Sequence, residues 1–422
     1  MSRPIERRPT GLGGRVKEPA GAGGLKRRPG LAKQVRMSSR DPHAPTDFTL
    51  NWRCGFEVEL LAPPGRTRAD LAELLATAHG GIVRRVLHAD SEPSLVAGKP
   101  VFQNLTLGFE ALDATGGLVA RCVDDLTLQH DLDRQAAPRA GWWRVVSDDE
   151  RLIRILARYL DAAAELPAAL DALPAALGVS IDAHEGGVFR ILDSARAPLG
   201  LAAPLPGERE RPCELVTPPI EAAHGARLET LLAAARHLGF KRPLEGATHV
   251  HFDAAALCDA RVLANLVALL THRALQLRVL CGTPPTFRRV GGLSPAVLHC
   301  IFAPDFAELP WETARARVAA AEPSKYCDYN LKNLAHARAD RHTFEVRIFP
   351  TYLDAAPIVA AAGLFEGLLR RCLDGPPVRV RMPAPFSLRS ALRLLDELPL
   401  APDLRAHWRA EARRVEALRT AT

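Results

Sequence analysis

A chain of 422 residues is long enough to bury a large core or to divide into two modest domains, and 47% hydrophobic with 24% charged residues excludes a collagenous or wholly disordered polymer. Only 5% of residues are aromatic, which argues against a platform for stacking nucleic-acid bases. The formal charge is +7, yet residues 1–40 carry 11 Lys/Arg against 2 Glu, so everything after Arg40 sums to −2 and the basicity belongs to a tail.

From Met1 to about Pro45 the chain is rich in Gly, Pro and Arg and has no hydrophobic periodicity, so it is expected to be a disordered basic tail. GLGG at Gly11 has the glycines of a phosphate loop but no strand before it, the N-terminus lacks the apolar run of a secretory signal, and Met37 is an alternative start. A strand is expected over Phe48 to Leu61, ended by Ala62-Pro63-Pro64-Gly65, then a helix with Leu71, Leu74, Leu75 and Ala78 on one face, stopped at Gly80-Gly81. Residues 82–146 alternate in short runs and predict several antiparallel strands. Ser147 and Glu150 have the spacing of a capping box for a helix from Asp149 to Ala164, followed by a second helical stretch to about Leu177. Strands Val188 to Leu192 and Cys213 to Thr217 then bracket a Pro-rich loop. Helix Ala226 to Leu238, strand Thr248 to Phe252, helix Ala260 to Leu280, strand Phe344 to Phe349 and helix Ala356 to Cys372 follow. After Asp374 come an extended piece and two Arg-rich helices, Ser387 to Leu398 and Leu404 to Ala421, expected as a packed hairpin.

The reading is an α+β chain in three segments: a tail 1–45, a main domain 46–374 and a C-terminal helical extension 375–422. Eight cysteines are spread singly with no CxxC pair, which suits reduced thiols in a cytoplasmic protein. The most apolar windows are broken by His272, Arg273 and Arg278 or by Glu366, Arg370 and Arg371, so no membrane span is expected.

Three strands repeat one pattern: Glu57-Val58-Glu59, His249-Val250-His251 and Glu345-Val346-Arg347. Period-2 alternation puts both polar residues of each triplet on one face and the central Val on the other. Glu214 lies in a fourth strand. Alone, an E-x-E strand suits a solvated face, an H-x-H pair suits buried structural imidazoles and E-x-R suits a cross-strand ion pair. Together they imply a site. Glu57 and Glu59 stand about 7 Å apart along a strand, where two carboxylates repel by about 2.4 kcal/mol at an effective dielectric near 20. If Glu57, Glu59, Glu214 and Glu345 share a face, Arg347 alone cannot balance them, and divalent cations are the economical remedy. Carboxylate with imidazole suits Mg²⁺ or Mn²⁺, and a pair of such ions is within reach of this set. Zinc is disfavoured, since there is no HExxH and no clustered Cys/His.

At these residues the chain resembles the amidoligase family, a branch of the carboxylate-amine ligases with a glutamine-synthetase-like catalytic sheet. The matching motifs are GFEVEL at Gly55, CELVTPP at Cys213, GATHVHFD at Gly246, KYCDYNL at Lys325 and HTFEVRIFP at His342. The resemblance implies a glutamine-synthetase-like antiparallel β-sheet trough covered by helices. It also implies ATP-dependent formation of an amide or peptide bond through an acyl phosphate, from a small-molecule or peptide carboxylate and an amine donor. Carried over, Glu57, Glu59, Glu214 and Glu345 are metal-binding acids, His249 and His251 complete a metal or ATP-phosphate site, and Arg347 neutralises the transferred phosphoryl group. Lys325 and Asn330 fall in a motif near the active site, as phosphate or substrate contacts, and Glu214 is a candidate base. The stretch TPPTFRRVGGLSPAV departs from the pattern, and Arg288 and Arg289 there are either substitutes for lost contacts or a solvated loop. The chain has no GxxxxGK[ST], so phosphate binding falls to the acids, histidines and arginine.

Two other readings remain open: a two-metal hydrolase or nuclease on the same acids, and a non-catalytic nucleic-acid-associated protein acting through the tail. A nucleic-acid partner and a membrane are not expected, and the oligomeric state is open.

Overall fold

The computed structural model describes residues 48–93, 101–287, 290–336 and 342–421. The basic tail and its GLGG, together with Arg288 and Arg289, lie outside the described residues. Among those described, twelve strands form one sheet: β1 (Cys54–Leu61), β2 (Val83–Pro93), β3 (Val101–Leu112), β4 (Leu118–Val123), β5 (Trp143–Ser147), β6 (Ser180–His184), β7 (Val188–Leu192), β8 (Pro198–Pro204), β9 (Pro212–Val216), β10 (Ala247–Asp253), β11 (Tyr329–Asn330) and β12 (Thr343–Pro350). The order is β11-β12-β10-β1-β9-β4-β3-β5-β8-β7-β6, with β2 paired to β3, and the pairings are antiparallel. Strand β3 is long enough to hold β2 along one edge and both β4 and β5 along the other.

Eleven α-helices complete the described residues: α1 (Arg68–Ala78), α2 (Glu150–Leu156), α3 (Leu173–Leu177), α4 (His224–His237), α5 (Ala260–Leu280), α6 (Pro295–Ile301), α7 (Trp311–Ala320), α8 (Lys332–Ala335), α9 (Ala355–Asp374), α10 (Leu388–Glu397) and α11 (Pro402–Thr420). The chain is thus α+β, with a large antiparallel sheet. The apolar alternates Phe56, Val58, Val250, Phe252, Phe344 and Val346 are fully or almost fully buried, in one core with α1, α4, α5 and α9. Ring contacts tie sheet to helix: Phe349 meets Phe365 of α9 edge-on at 5.4 Å, and Tyr329 lies 5.9 Å from the same ring. Burying each such side chain contributes about 1.5–3 kcal/mol.

Several local expectations change. Ser147 closes β5 and donates from Oγ to the carbonyl of Leu199 at 2.8 Å; the cap of α2 is Asp149, whose carboxylate accepts from Arg151 and Leu152. The helix expected to run to Ala164 ends at Leu156, and Asp161 accepts from the amide of Ala163, a local bond that competes with the helical ladder. The Pro-rich loop contains β8: its prolines sit at the two ends, so the interior residues are free to pair with β5 and β7. β1 begins at Cys54, six residues later than the alternation suggests.

The segment after α9 is extended but joins no ladder. It lies along α5, where the side chain of Asn265 accepts from Val378 and the His272 carbonyl accepts from Ala384. Helices α10 and α11 pack on each other, and α11 packs on α5 and α9. Gly363 and Gly367 make this approach possible: a Cβ there would stand 2.7 Å from Leu404 Cδ2 and 2.4 Å from Leu400 Cδ2. No described helix is long and apolar enough to cross a membrane.

Helix α1 begins with a capping box. Thr67 accepts from Ala69 and Asp70, and the Asp70 carboxylate accepts from the Thr67 amide at 2.8 Å. The bonds from Thr67 and Arg66 hold the Asp70 carboxyl below its ordinary range against the opposing effect of burial. Thr67→Ala is expected to cost about 1 kcal/mol in urea melts at pH 7. A depressed carboxyl contributes stability that is present above its unfolded pKa and lost as pH falls through the folded value, so the gap between wild type and variant should narrow below about pH 4.

Candidate active site

β1 lies between β9 and β10, so its polar alternates meet partners on both sides. The register puts Glu59 opposite Glu214, Glu57 opposite His249, His251 opposite Glu345, and Glu345 opposite Asn330. Residues from five strands thus form one polar row across β9, β1, β10, β12 and β11. The central residues Val58, Val250 and Val346 are no more than 1% exposed and belong to the core on the other face.

The ladder between β10 and β12 is broken once. Thr248 faces Phe349 and Val250 faces Val346, so His249 stands opposite both Arg347 and Ile348. This is a β-bulge, which bends a strand and re-aims a side chain. The Arg347 amide bonds instead to the Asp328 carbonyl at 2.9 Å. Asp328 is itself held by the guanidinium of Arg278 and the amide of Gly291. Arg347 then pairs with Glu345 inside the row.

Within the row, His249 Nδ1 lies 3.2 Å from Glu57 Oε2 and 3.8 Å from Glu345 Oε1, while its Nε2 lies 3.4 Å from Glu59 Oε1. His251 Nε2 lies 3.2 Å from Glu57 Oε1 and 3.9 Å from Glu345 Oε1. Glu345 accepts from Asn330 Nδ2 at 2.7 Å, and Glu59 accepts from the Ala247 amide at 2.7 Å.

These neighbours set the charges. Burial opposes ionisation of every carboxyl here; Arg347 and His251 outweigh it at Glu345, whose pKa is held at about 2. His251 and His249 likewise hold Glu57 well below the carboxylate range. At the other end burial prevails: Glu214 is pushed well up, with Glu57 and Asp125 adding to the shift, and Glu59 is pushed well up with Asp125 adding. The histidines diverge. Burial and Arg347 lower His249, whereas Glu57 and Glu345 overcome burial and raise His251 to about 9. Negative charge is therefore well compensated at the β12 end and poorly compensated at the β9 end.

Two ligand triads share Glu57: one is Glu57, His251 and Glu345, the other Glu57, Glu214 and His249. The ligand atoms of each lie within 4.8 Å of one another. Carboxylate oxygens and imidazole nitrogens are donors that a divalent cation takes. His251 is oriented for the fit: its Nδ1 is 3.1 Å from Thr343 Oγ1, and its buried Nε2 faces Glu57 and Glu345, where a bound cation would take the place of the proton those acids favour.

Lys325 stands apart from the row's ion pairs. Its Nζ binds Asp90 Oδ1 of β2 at 3.0 Å, and Tyr326 reaches Ser91 beside it. Two acids near the row escape the sequence motifs: Asp90, and Asp125, whose charge helps to push the Glu59 and Glu214 carboxyls up. Asp125 follows β4, two residues past the Val123 that faces Glu214. Its only sequence signal is the Asp124-Asp125 pair at the end of an apolar run.

A family described as putative amidoligase enzyme matches residues 50–369. The chain belongs to this family. The match takes in β1 through most of α9, and so every residue of the row; α10 and α11 lie beyond it. Among curated proteins, none matches. Membership in the amidoligase family makes the row a candidate active site for a ligase that joins a carboxylate to an amine.

Proposed function

We propose that this amidoligase is an ATP-dependent carboxylate-amine ligase working on a glutamine-synthetase-like trough, with the acid, histidine and arginine row as its floor. The supporting observation is the register that lines up Glu214 with Glu59, Glu57 with His249, and His251 with Glu345 and Asn330. Activation transfers the γ-phosphoryl group of ATP to a carboxylate oxygen as ADP departs; the amine nitrogen then displaces phosphate from the acyl carbon and gives up a proton.

Glu57, Glu59, Glu214, His249, His251 and Glu345 would hold Mg²⁺ or Mn²⁺, which supplies neutralising charge to the polyphosphate. Arg347, aimed by its bulge, presents a guanidinium to the oxygens of the group in transfer. Asn330 and Arg347 fix the rotamer of Glu345, and the Ala247 amide fixes that of Glu59. Burial and neighbouring acids push the Glu214 carboxyl up, which makes Glu214, when it is not bound to the cation, the candidate that accepts the amine's proton. Lys325, next to the row on its Asp90 tether, is placed for a phosphate or substrate contact.

The test is ADP release from ATP across pools of carboxylates and amines. The expected result is release only when a carboxylate, an amine and a divalent cation are all present. Phosphodiester cleavage without ATP would overturn the ligase reading in favour of a two-metal hydrolase.

A further inference from the structure

Behind the poorly compensated end of the row lies a charged network that the amidoligase motifs do not include. Arg209 is 7% exposed and Asp124 1%. Arg209 donates to Asp124 Oδ1 at 2.6 Å, to the Asp125 carbonyl at 2.9 Å and to the Leu128 carbonyl at 2.6 Å. Arg68 is fully buried behind it, donating to the Arg209 carbonyl at 2.7 Å and the Leu107 carbonyl at 2.9 Å, with its guanidinium 4.6 Å from the centre of the Trp142 ring. Arg68 NH2 stands 3.8 Å from Asp124 Oδ2.

Local structure does not account for these residues. Arg68 is the first residue of α1, where the helix dipole disfavours a cation. Burying two guanidiniums against one carboxylate is costly, and apolar side chains of similar volume often serve stability as well. What the network does fix is a loop. It grips 124–128 by two carbonyls and one carboxylate, and Thr127 takes both oxygens of Asp125, through its amide at 2.8 Å and its hydroxyl at 2.9 Å. The loop so held starts at the row: Val123 of β4 faces Glu214, Glu214 faces Glu59, and Asp125 follows two residues after Val123.

We propose that Arg209, backed by Arg68 and Asp124, is a positioning residue that holds the Asp125 carboxyl at the Glu214–Glu59 end of the row and thereby tunes how tightly the row holds a divalent cation. This rests on the reading of the row as a cation site. Lysine keeps the charge of Arg209 but cannot reach three acceptors in one plane.

The experiment is a double-mutant cycle on the full chain, with Mn²⁺ titrated by electron paramagnetic resonance and folding followed by circular dichroism. Arg209→Lys and Asp125→Asn are each expected to weaken Mn²⁺ binding about tenfold, as loss of groups that orient ligands does. The double variant should bind no more weakly than Asp125→Asn alone, because Arg209 acts through Asp125. Additive losses, or unchanged Mn²⁺ binding in either single variant, would overturn the inference. If Arg209→Lys fails to fold, Asp124→Asn replaces it in the cycle, with the same two outcomes. Wild-type protein that binds Mn²⁺ and shows the non-additive cycle but releases no ADP removes the ligase reading and leaves this inference standing; wild-type protein that binds no Mn²⁺ overturns both.

Discussion

Glu57→Gln is expected to lower cation-dependent ADP release about a thousandfold, since loss of several kcal/mol of charge stabilisation is multiplied tenfold for each 1.36 kcal/mol. Glu57 is the acid with most to lose, because its two oxygens serve different histidines and it alone belongs to both triads. Glutamine keeps the shape and removes the charge. Folding should survive, because the change removes one of several crowded carboxylates from a face whose apolar reverse is untouched. Steady-state kinetics with a thermal melt would check both halves; undiminished turnover in a folded variant would dismiss the shared-ligand role.

Arg347→Lys is the second large effect, expected at about a hundredfold in kcat/KM for ATP, or about 2.7 kcal/mol. Charge is conserved in this variant, so the loss reports geometry. The bulge opposite His249 and the amide bond to Asp328 aim one planar fork at the row, and a flexible ammonium cannot occupy the same donor positions. Kinetics at saturating carboxylate and amine separate this from a substrate-binding defect. A change confined to the KM of the carboxylate would move Arg347 from phosphoryl transfer to substrate recognition.

Both variants act on the compensated part of a row whose two ends differ. At the β12 end, Arg347 and His251 keep Glu345 ionised; at the β9 end, burial and mutual repulsion leave Glu214 and Glu59 short of compensating charge. On the proposed ligase reading the row binds a polyanion and takes a proton from an amine, and its two ends differ in the charge they offer to each.

Of the strands that carry the row, β1, β9, β10 and β12 were legible because alternation is a local signal, whereas the two-residue β11 was not expected. Glu57 with Glu59, His249 with His251 and Glu345 with Arg347 each flank a valine whose burial follows from the period of a strand. Long helices such as α5 were equally plain, its bounds agreeing with the expected Ala260 to Leu280. Other features were hidden. The β8 strand was obscured by prolines, and the helix expected to reach Ala164 stops at Leu156, with turns and a side-chain bond at Asp161 where its later turns were expected.

By itself, the sequence determined which faces are polar, where the chemistry-bearing motifs lie and to which family they belong, because side-chain alternation and motif spacing are properties of a single strand. Only the tertiary structure decided that Glu59 meets Glu214 and His251 meets Glu345, that a bulge aims Arg347, and that the loop carrying Asp125 starts beside Glu214 while Lys325 pairs with Asp90. Register between strands hundreds of residues apart is set by how the whole sheet closes over its core, and no local pattern encodes it.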